Sequence, residues 1–450
     1  MTAALVAALL ATVAPAVASQ GAGPGAGGVA SATEEVEGWS SFRGPGGRGY
    51  ALHANPPLAW SAKEGTNILW KTAVPTHGMS SPVVWGKRLF LTGADASGRR
   101  LYCYDTDTGK LLWRHDVDGV PGFPAGSAPP EVLEQTGWAA PTVTTDGRHV
   151  AAIFATGELV GVDMEGKRLW GRHLGVPRNH YGHASSLMSH QGLLFVQYDQ
   201  ETDSKLQAFD LASGEPVWQV KRDVISWSSP ILVDNRGRME LILTNSRAVD
   251  GYDPMTGKLL WRVDCLGGEV ASSAAYADGI VFVSSEDAGL SAIDIGGHVE
   301  QPKVLWRWDD ALPDAASPLA KDGYVILPTG FGVVSCLDAK TGKLRWEKEF
   351  DRGFWSSPVL AEDRVYLIDS HGGMQVFRLG DAFELLGASG IGEAAYATPA
   401  IVGDRIYIRG LTHLICVAAR PAPSAELRKV GGVLRRCEAL LTPERHMRSA

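Results

Sequence analysis

Ten side chains in this sequence have the reach to bind or transform a ligand: His77, Trp138, His180, His183, Trp227, Glu269, Asp314, Trp355, Glu393 and Tyr396. Most stand just ahead of a phrase of small residues that repeats along the chain, so a fold that superposes the repeats would gather them. Indoles, a phenol, imidazoles and carboxylates around one funnel would hold a planar or sugar-like ligand by stacking and hydrogen bonding. The plainer alternative is that the aromatics pack the neck of the fold and the charges are solvated. His180 and His183 are three apart, a spacing that binds metal on a helix. Asn179-His180-Tyr181-Gly182-His183 reads instead as a loop, with no cysteine or third histidine beside it, so a four-ligand zinc site is not expected. Neither a metal ligand nor a catalytic residue is assigned.

Two recurring phrases say what must position these groups. The first is an apolar run, Asp, a Thr-Gly turn, and a run ending in Trp. It appears from Asp105 to Trp113, from Asp253 to Trp261 and from Asp338 to Trp346, with variants from Asp163 to Trp170, Asp210 to Trp218 and Asp294 to Trp306. Asp accepts backbone N–H bonds inside a turn, and Gly supplies the positive φ that closes it, so each copy reads as a hairpin. The second phrase is Trp227-Ser228-Ser229-Pro230 or Trp355-Ser356-Ser357-Pro358. Weaker copies surround Ser80, Ala139, Ser185, Ser272, Ala316 and Ala397, and each precedes a short β-rich run. Small residues before a strand fit a crowded inner strand where backbones approach closely.

The strand-ending positions are Trp70, Trp113, Trp170, Trp218, Trp261, Trp306, Trp346 and Leu386, about 45 residues apart. A period of about 40–50 residues with four strands per unit predicts a β-propeller. Eight copies of the small-residue phrase predict eight blades. The first copy, at Asn67-Ile68-Leu69-Trp70, has only a last strand, and the final copy, from Tyr396 to Ala418, has only the first three. Joining them completes the eighth four-stranded antiparallel blade and removes exposed sheet edges.

The phrase Asp-x-x-Thr-Gly-Lys-x-x-Trp resembles the tryptophan-docking motif of the pyrroloquinoline-quinone (PQQ)-like β-propellers, a superfamily that includes quinoprotein alcohol dehydrogenases and BamB-like outer-membrane assembly lipoproteins. The resemblance covers about residues 38–418. Trp39-Ser40-Ser41-Phe42-Arg43-Gly44-Pro45 also resembles the opening of an exported bacterial subgroup. The resemblance implies that each docking Trp packs between neighbouring blades. It raises PQQ with calcium as a possible cofactor, but the adjacent cysteines of the quinoprotein dehydrogenases are missing, and no calcium ligand falls on a matching motif. There is also no Cys-x-x-Cys-His haem site.

The remaining features bear on location and partners. Residues 1–18 are uncharged and end in Ala16-Val17-Ala18, which predicts a signal peptide cleaved before Ser19. Residues 19–37 read as a Gly/Ala/Ser linker, and residues 419–450 as a basic tail. The first two blades are joined by a Pro-rich stretch over 118–137. A net charge of −8 with no basic stripe over the main body argues against nucleic acid. No apolar run reaches spanning length. Cys103, Cys336 and Cys416 share one repeat position and so lie too far apart for a disulfide. The expected protein is an exported, monomeric, non-catalytic scaffold of the envelope, periplasmic or extracellular, that binds a protein or small molecule. The alternatives are a PQQ-dependent alcohol or sugar dehydrogenase and a glycan-binding propeller.

Overall fold

The computed structural model describes residues 38–123, 132–133 and 136–419. The signal, the linker, the middle of the 118–137 stretch and the tail from residue 420 lie outside the described residues. Eight four-stranded antiparallel sheets form the blades of an eight-bladed β-propeller. Blade 1 consists of Val83–Trp85, Arg88–Asp95, Gly98–Asp105 and Leu111–Val117, running from the axis outward. Blades 2 to 7 repeat that order over residues 144–173, 188–221, 231–264, 275–308, 319–349 and 359–390. Blade 8 takes Ala400–Val402, Arg405–Arg409 and His413–Ala418 from the C-terminal side and its outer strand, Ile68–Ala73, from the N-terminal side. Trp70 pairs with Cys416 and Ala73 with His413, so the two halves close the ring as the half-repeats predict.

Each outer hairpin forms for the reason its sequence states. Asp105 Oδ1 accepts from the backbone N–H of Asp107 and Thr108 and from the Thr108 hydroxyl. Asp253 and Asp338 do the same. Gly109 takes φ +68°, and its face lies against the Trp70 ring of the preceding blade, where a Cβ would come within 2.5 Å of the indole. The same close approach joins Trp113 to Gly166, Trp170 to Gly214, Trp218 to Gly257 and Trp306 to Gly342. Five indole N–H groups then donate across the blade boundary: Trp70 to Thr106 O, Trp113 to Met164 O, Trp170 to Leu211 O, Trp306 to Ala339 O and Trp346 to Gly380 O. Trp261 departs from this pattern and donates to Glu240 Oε2 within its own blade.

Pairing within a blade explains the cysteines. The residue opposite each Trp on the third strand must be small. It is Cys103 for Trp113, Cys336 for Trp346 and Cys416 for Trp70, and Gly161, Ala208, Gly251 and Ala292 for the others. All three cysteines are buried and free.

Two details differ from the sequence reading. The residue of blade 7 at the Trp position is Gly387, opposite Val376, and not Leu386. A Cβ at Gly387 would overlap the backbone carbonyl of Leu58, which covers this place where the ring closes. The chain breaks at the third-to-fourth hairpin of blade 8, so there is no Asp-x-x-Thr-Gly turn for an indole to meet. In blade 2 the small-residue phrase is shifted: Thr142 takes the place held by Ser81 in blade 1, two residues beyond Ala140. Thr144 of the inner strand pairs with Ala151 as Val83 pairs with Phe90, which fixes that register.

Candidate functional site

The small-residue phrases build a ring around the axis. The backbone N–H of each ring residue donates to the hydroxyl of the next: Ser81 to Thr142, Thr142 to Ser186, Ser186 to Ser229, Ser229 to Ser273, Ser273 to Ser317, Ser317 to Ser357 and Ser357 to Thr398, over 2.8–3.1 Å. A hydroxyl is required here because inner strands that converge on an axis leave their first N–H groups without ladder partners, and buried donors need acceptors. The upper face is the one carrying these phrases.

The channel inside the ring is filled by the chain itself. Gly38–Trp39 pairs antiparallel with the inner strand of blade 1, so it climbs from the lower face toward the ring. Tyr50–Ala51 pairs parallel with Val359–Ala361 of blade 7 and so descends again. Residues 40–49 turn over between them and touch the other walls. Ser40 O accepts from Thr145 N of blade 2 at 3.0 Å. Arg43 is fully buried and donates to Ala274 O of blade 5 at 3.1 Å and to Pro318 O of blade 6. Burial lowers the Arg43 guanidinium to about 10, against the opposing pull of Tyr50. Trp39 is buried, with Gly44 laid against its ring. The Trp-Ser-Ser-Phe-Arg-Gly-Pro motif is therefore a looped plug, and its tip residue Phe42 floors what remains of the mouth.

That remainder is a depression of about 120 Å³ above Phe42, walled by ring serines and threonines and rimmed by Trp227, Trp355 and Tyr396. Trp355 is 45% exposed, Tyr396 36%, and Phe331 on the same face 64%.

The other sequence-selected groups are not among its lining residues. Around the rim, Asn179 Oδ1 accepts from Trp227 Nε1 at 2.6 Å. His180 and Tyr181 pack on the Trp227 ring, and both meet Glu269, at 3.5 Å from His180 Nε2 and 3.3 Å from the Tyr181 hydroxyl. Three loops are thereby joined into one aromatic cluster. Partial burial and the Glu269 charge raise the Tyr181 hydroxyl. His183 is fully buried and stacked on Tyr198, and burial lowers it to about 4. Glu393 holds the blade 8 hairpin, accepting from the backbone of Thr412 and His413 and from the His413 ring. Asp314 accepts from Gly330 N at 2.7 Å and hydrogen-bonds Glu286, which raises the Glu286 carboxyl. Trp138 lies off the axis, its ring 4.9 Å from the Arg99 guanidinium. His77 is exposed at the start of blade 1, beside Gly137. Sequence reasoning missed Phe42 and Glu286. The Phe-Arg-Gly-Pro motif was the available signal for the first, and Glu286 gives none.

This architecture, with interblade indoles and a hydroxyl ring about the axis, defines the class of PQQ-like eight-bladed propellers. The model of a family described as "Outer membrane protein assembly factor BamB" matches residues 27–200, 202–316 and 298–410, and the chain belongs to that family. It is 24% identical over 248 residues to the outer membrane protein assembly factor BamB of Moranella endobia, a match covering 51% of this chain and 62% of the relative. The chain thus spans about three fifths of the length of that curated relative. Among solved structures it resembles BamB from Moraxella catarrhalis, with a TM-score of 0.57, 14% identity and coverage of 78% of this chain and 99% of that one. It also resembles a quinohemoprotein alcohol dehydrogenase from Pseudomonas putida HK5, with a TM-score of 0.64, 12% identity and coverage of 86% and 82%. At these identities both likenesses concern the fold.

The residues present do not fit PQQ with calcium. Small-molecule sites typically enclose about 300–1,000 Å³, and Phe42 reduces the mouth to about 120 Å³. Calcium takes six to eight oxygen ligands, usually with several carboxylates, whereas no Asp or Glu is among the residues lining the mouth. Among the described residues no grouping of three or more His, Cys, Asp or Glu has metal-site geometry.

Proposed function

We propose that this protein is an exported, non-catalytic scaffold of the cell envelope that binds a partner protein through the aromatic rim of its upper face. The observation that carries the reading is the filled channel beneath exposed aromatics. With the axis occupied by residues 38–51, the mouth offers a shallow contact surface and no enclosed reaction chamber. Half-exposed Trp355, Tyr396 and Phe331 are costly to leave in water, and such residues anchor protein interfaces. The relatives named as outer membrane protein assembly factors support a role among envelope proteins. No helix among the described residues is long and apolar enough to cross a membrane, which is compatible with delivery by a cleaved signal.

Site-specific photo-crosslinking in intact cells tests this. A benzophenone side chain at Trp355 or Tyr396 should give a discrete adduct that is absent when the same group replaces Leu385, an exposed residue on an outer strand. Identical adducts from all three positions, or none from the rim, would count against the scaffold reading.

A further inference from the structure

A second cavity, of about 310 Å³, opens off the axis on the upper face between blades 1 and 2. It falls within the size range of small-molecule sites. Its lining brings together a buried ion pair, an apolar part and, at the exposed edge, Asp118. Arg99 and Glu158 are each about 5% exposed and both line the space. Arg99 Nε stands 3.8 Å from Glu158 Oε1, beyond hydrogen-bond distance. The Thr156 hydroxyl lies between the charges: Arg99 Nε and Nη2 each reach it at 3.3 Å, and it donates to Glu158 Oε2. Arg99 Nη1 donates to Asp95 O at 3.1 Å, and the Trp138 ring covers the guanidinium. Glu158 Oε1 makes no hydrogen bond with any described residue. Val117, the cross-strand partner of Arg99, lines the space with Val120 and Phe123 as its apolar part, and Phe123 is 39% exposed and set edge-on against His173.

Glu158 Oε1 is therefore free to take a donor from the cavity that Glu158 lines, and a stretched buried pair does not recover its desolvation. A ligand of one charge sign would complete one partner and face the other's repulsion at close range. Adjacent opposite charges on one small molecule meet both. We infer that this pocket binds a free α-amino acid with an apolar side chain. Its ammonium would donate to Glu158 Oε1, its carboxylate would accept from the remaining Arg99 N–H groups, and its side chain would lie on Val117, Val120 and Phe123. This inference is independent of the rim and of the scaffold role.

Titration calorimetry on the full-length mature protein, with L-phenylalanine as the probe, tests it. Saturable one-to-one binding is expected. 3-Phenylpropionate, which lacks the ammonium, and 2-phenylethylamine, which lacks the carboxylate, should each bind about tenfold more weakly or worse, since each loses one charge-assisted pair. Glu158→Gln should weaken L-phenylalanine similarly. Phe123→Ser removes an exposed wall residue without touching the ion pair, so it serves even where Glu158→Gln fails to fold, and it should also weaken binding. The inference is overturned by no saturable binding of L-phenylalanine to the wild type, by equal binding of the three probes, or by undiminished binding to Phe123→Ser.

Discussion

His183 separates a ligand-binding histidine from a structural one, and pH is the lever. Its ring is fully buried, stacked on Tyr198 with centroids 5.0 Å apart, hydrogen-bonded to the Ser185 backbone, and without a partner at Nε2. Burial disfavours the imidazolium and lowers the group from its ordinary 6.5 to about 4 in the folded chain. The unfolded chain therefore binds the extra proton first. The neutral ring carries no penalty above pH 6.5, and stability falls as the pH drops from there toward 4. At 1.36 kcal/mol per unit, the full shift amounts to about 3 kcal/mol. Carboxylates titrate over the same range, so the measurement is a difference. Urea unfolding of wild type and His183→Gln, at pH 7.5 and again near pH 4, isolates the imidazole. The amide keeps a hydrogen-bond donor and does not titrate. At pH 7.5 the variant should be the less stable of the two, and near pH 4 that gap should shrink by about 3 kcal/mol or reverse. A gap independent of pH would refute the reasoning and return His183 to a hydrated, ligand-facing position.

Three further outcomes follow from the interlocks and the plug. Trp346→Ala removes an indole that is 8% exposed and bonded across to blade 7, and should cost about 3–5 kcal/mol in chemical denaturation. Gly387→Trp, which restores the repeat pattern, should destabilise the fold and lower the melting temperature, because the Leu58 carbonyl occupies that space. Added PQQ with Ca²⁺ should give neither saturable binding nor dye-linked alcohol oxidation, and saturable binding would show that the plug leaves room for a quinone.

Much of the ring was legible because each repeat states its own constraints. The Asp and Gly of Asp-x-x-Thr-Gly serve local hydrogen bonds and a positive φ, and the Trp spacing sets the period, so hairpins and blade count emerge from short-range chemistry. The half-repeats at Trp70 and Cys416 gave the closure for the same reason. What stayed hidden depends on contacts distant in sequence. The repeat spacing gives Leu386 the eighth indole's place, because nothing near it reveals that residue 58 covers Gly387. Trp138 looked like a rim residue because Trp-Ala-Ala-Pro imitates Trp-Ser-Ser-Pro, whereas pairing with blades 1 and 3 puts Thr142 in the ring. His183 sits beside the small-residue phrase as Trp227 and Trp355 nearly do, yet its side chain turns into the core, a rotamer choice that no spacing encodes. The Phe-Arg-Gly-Pro motif was visible as a motif, but its place inside the channel follows only from the walls it touches.

The most direct measurement concerns the plug. Ser40 and Thr145 lie on adjacent backbones, with Thr145 N bonded to Ser40 O at 3.0 Å, and the four cysteines among the described residues are buried. With Cys437, which lies outside the described residues, replaced by Ser, mild oxidation of a Ser40→Cys/Thr145→Cys double variant should form an intramolecular crosslink in the folded protein, and a single Ser41→Cys variant, at a position 1% exposed, should resist alkylation until the protein is denatured. Rapid alkylation of the folded single variant, with no crosslink in the double variant, would mean that residues 38–51 do not fill the channel and that the mouth is open for chemistry.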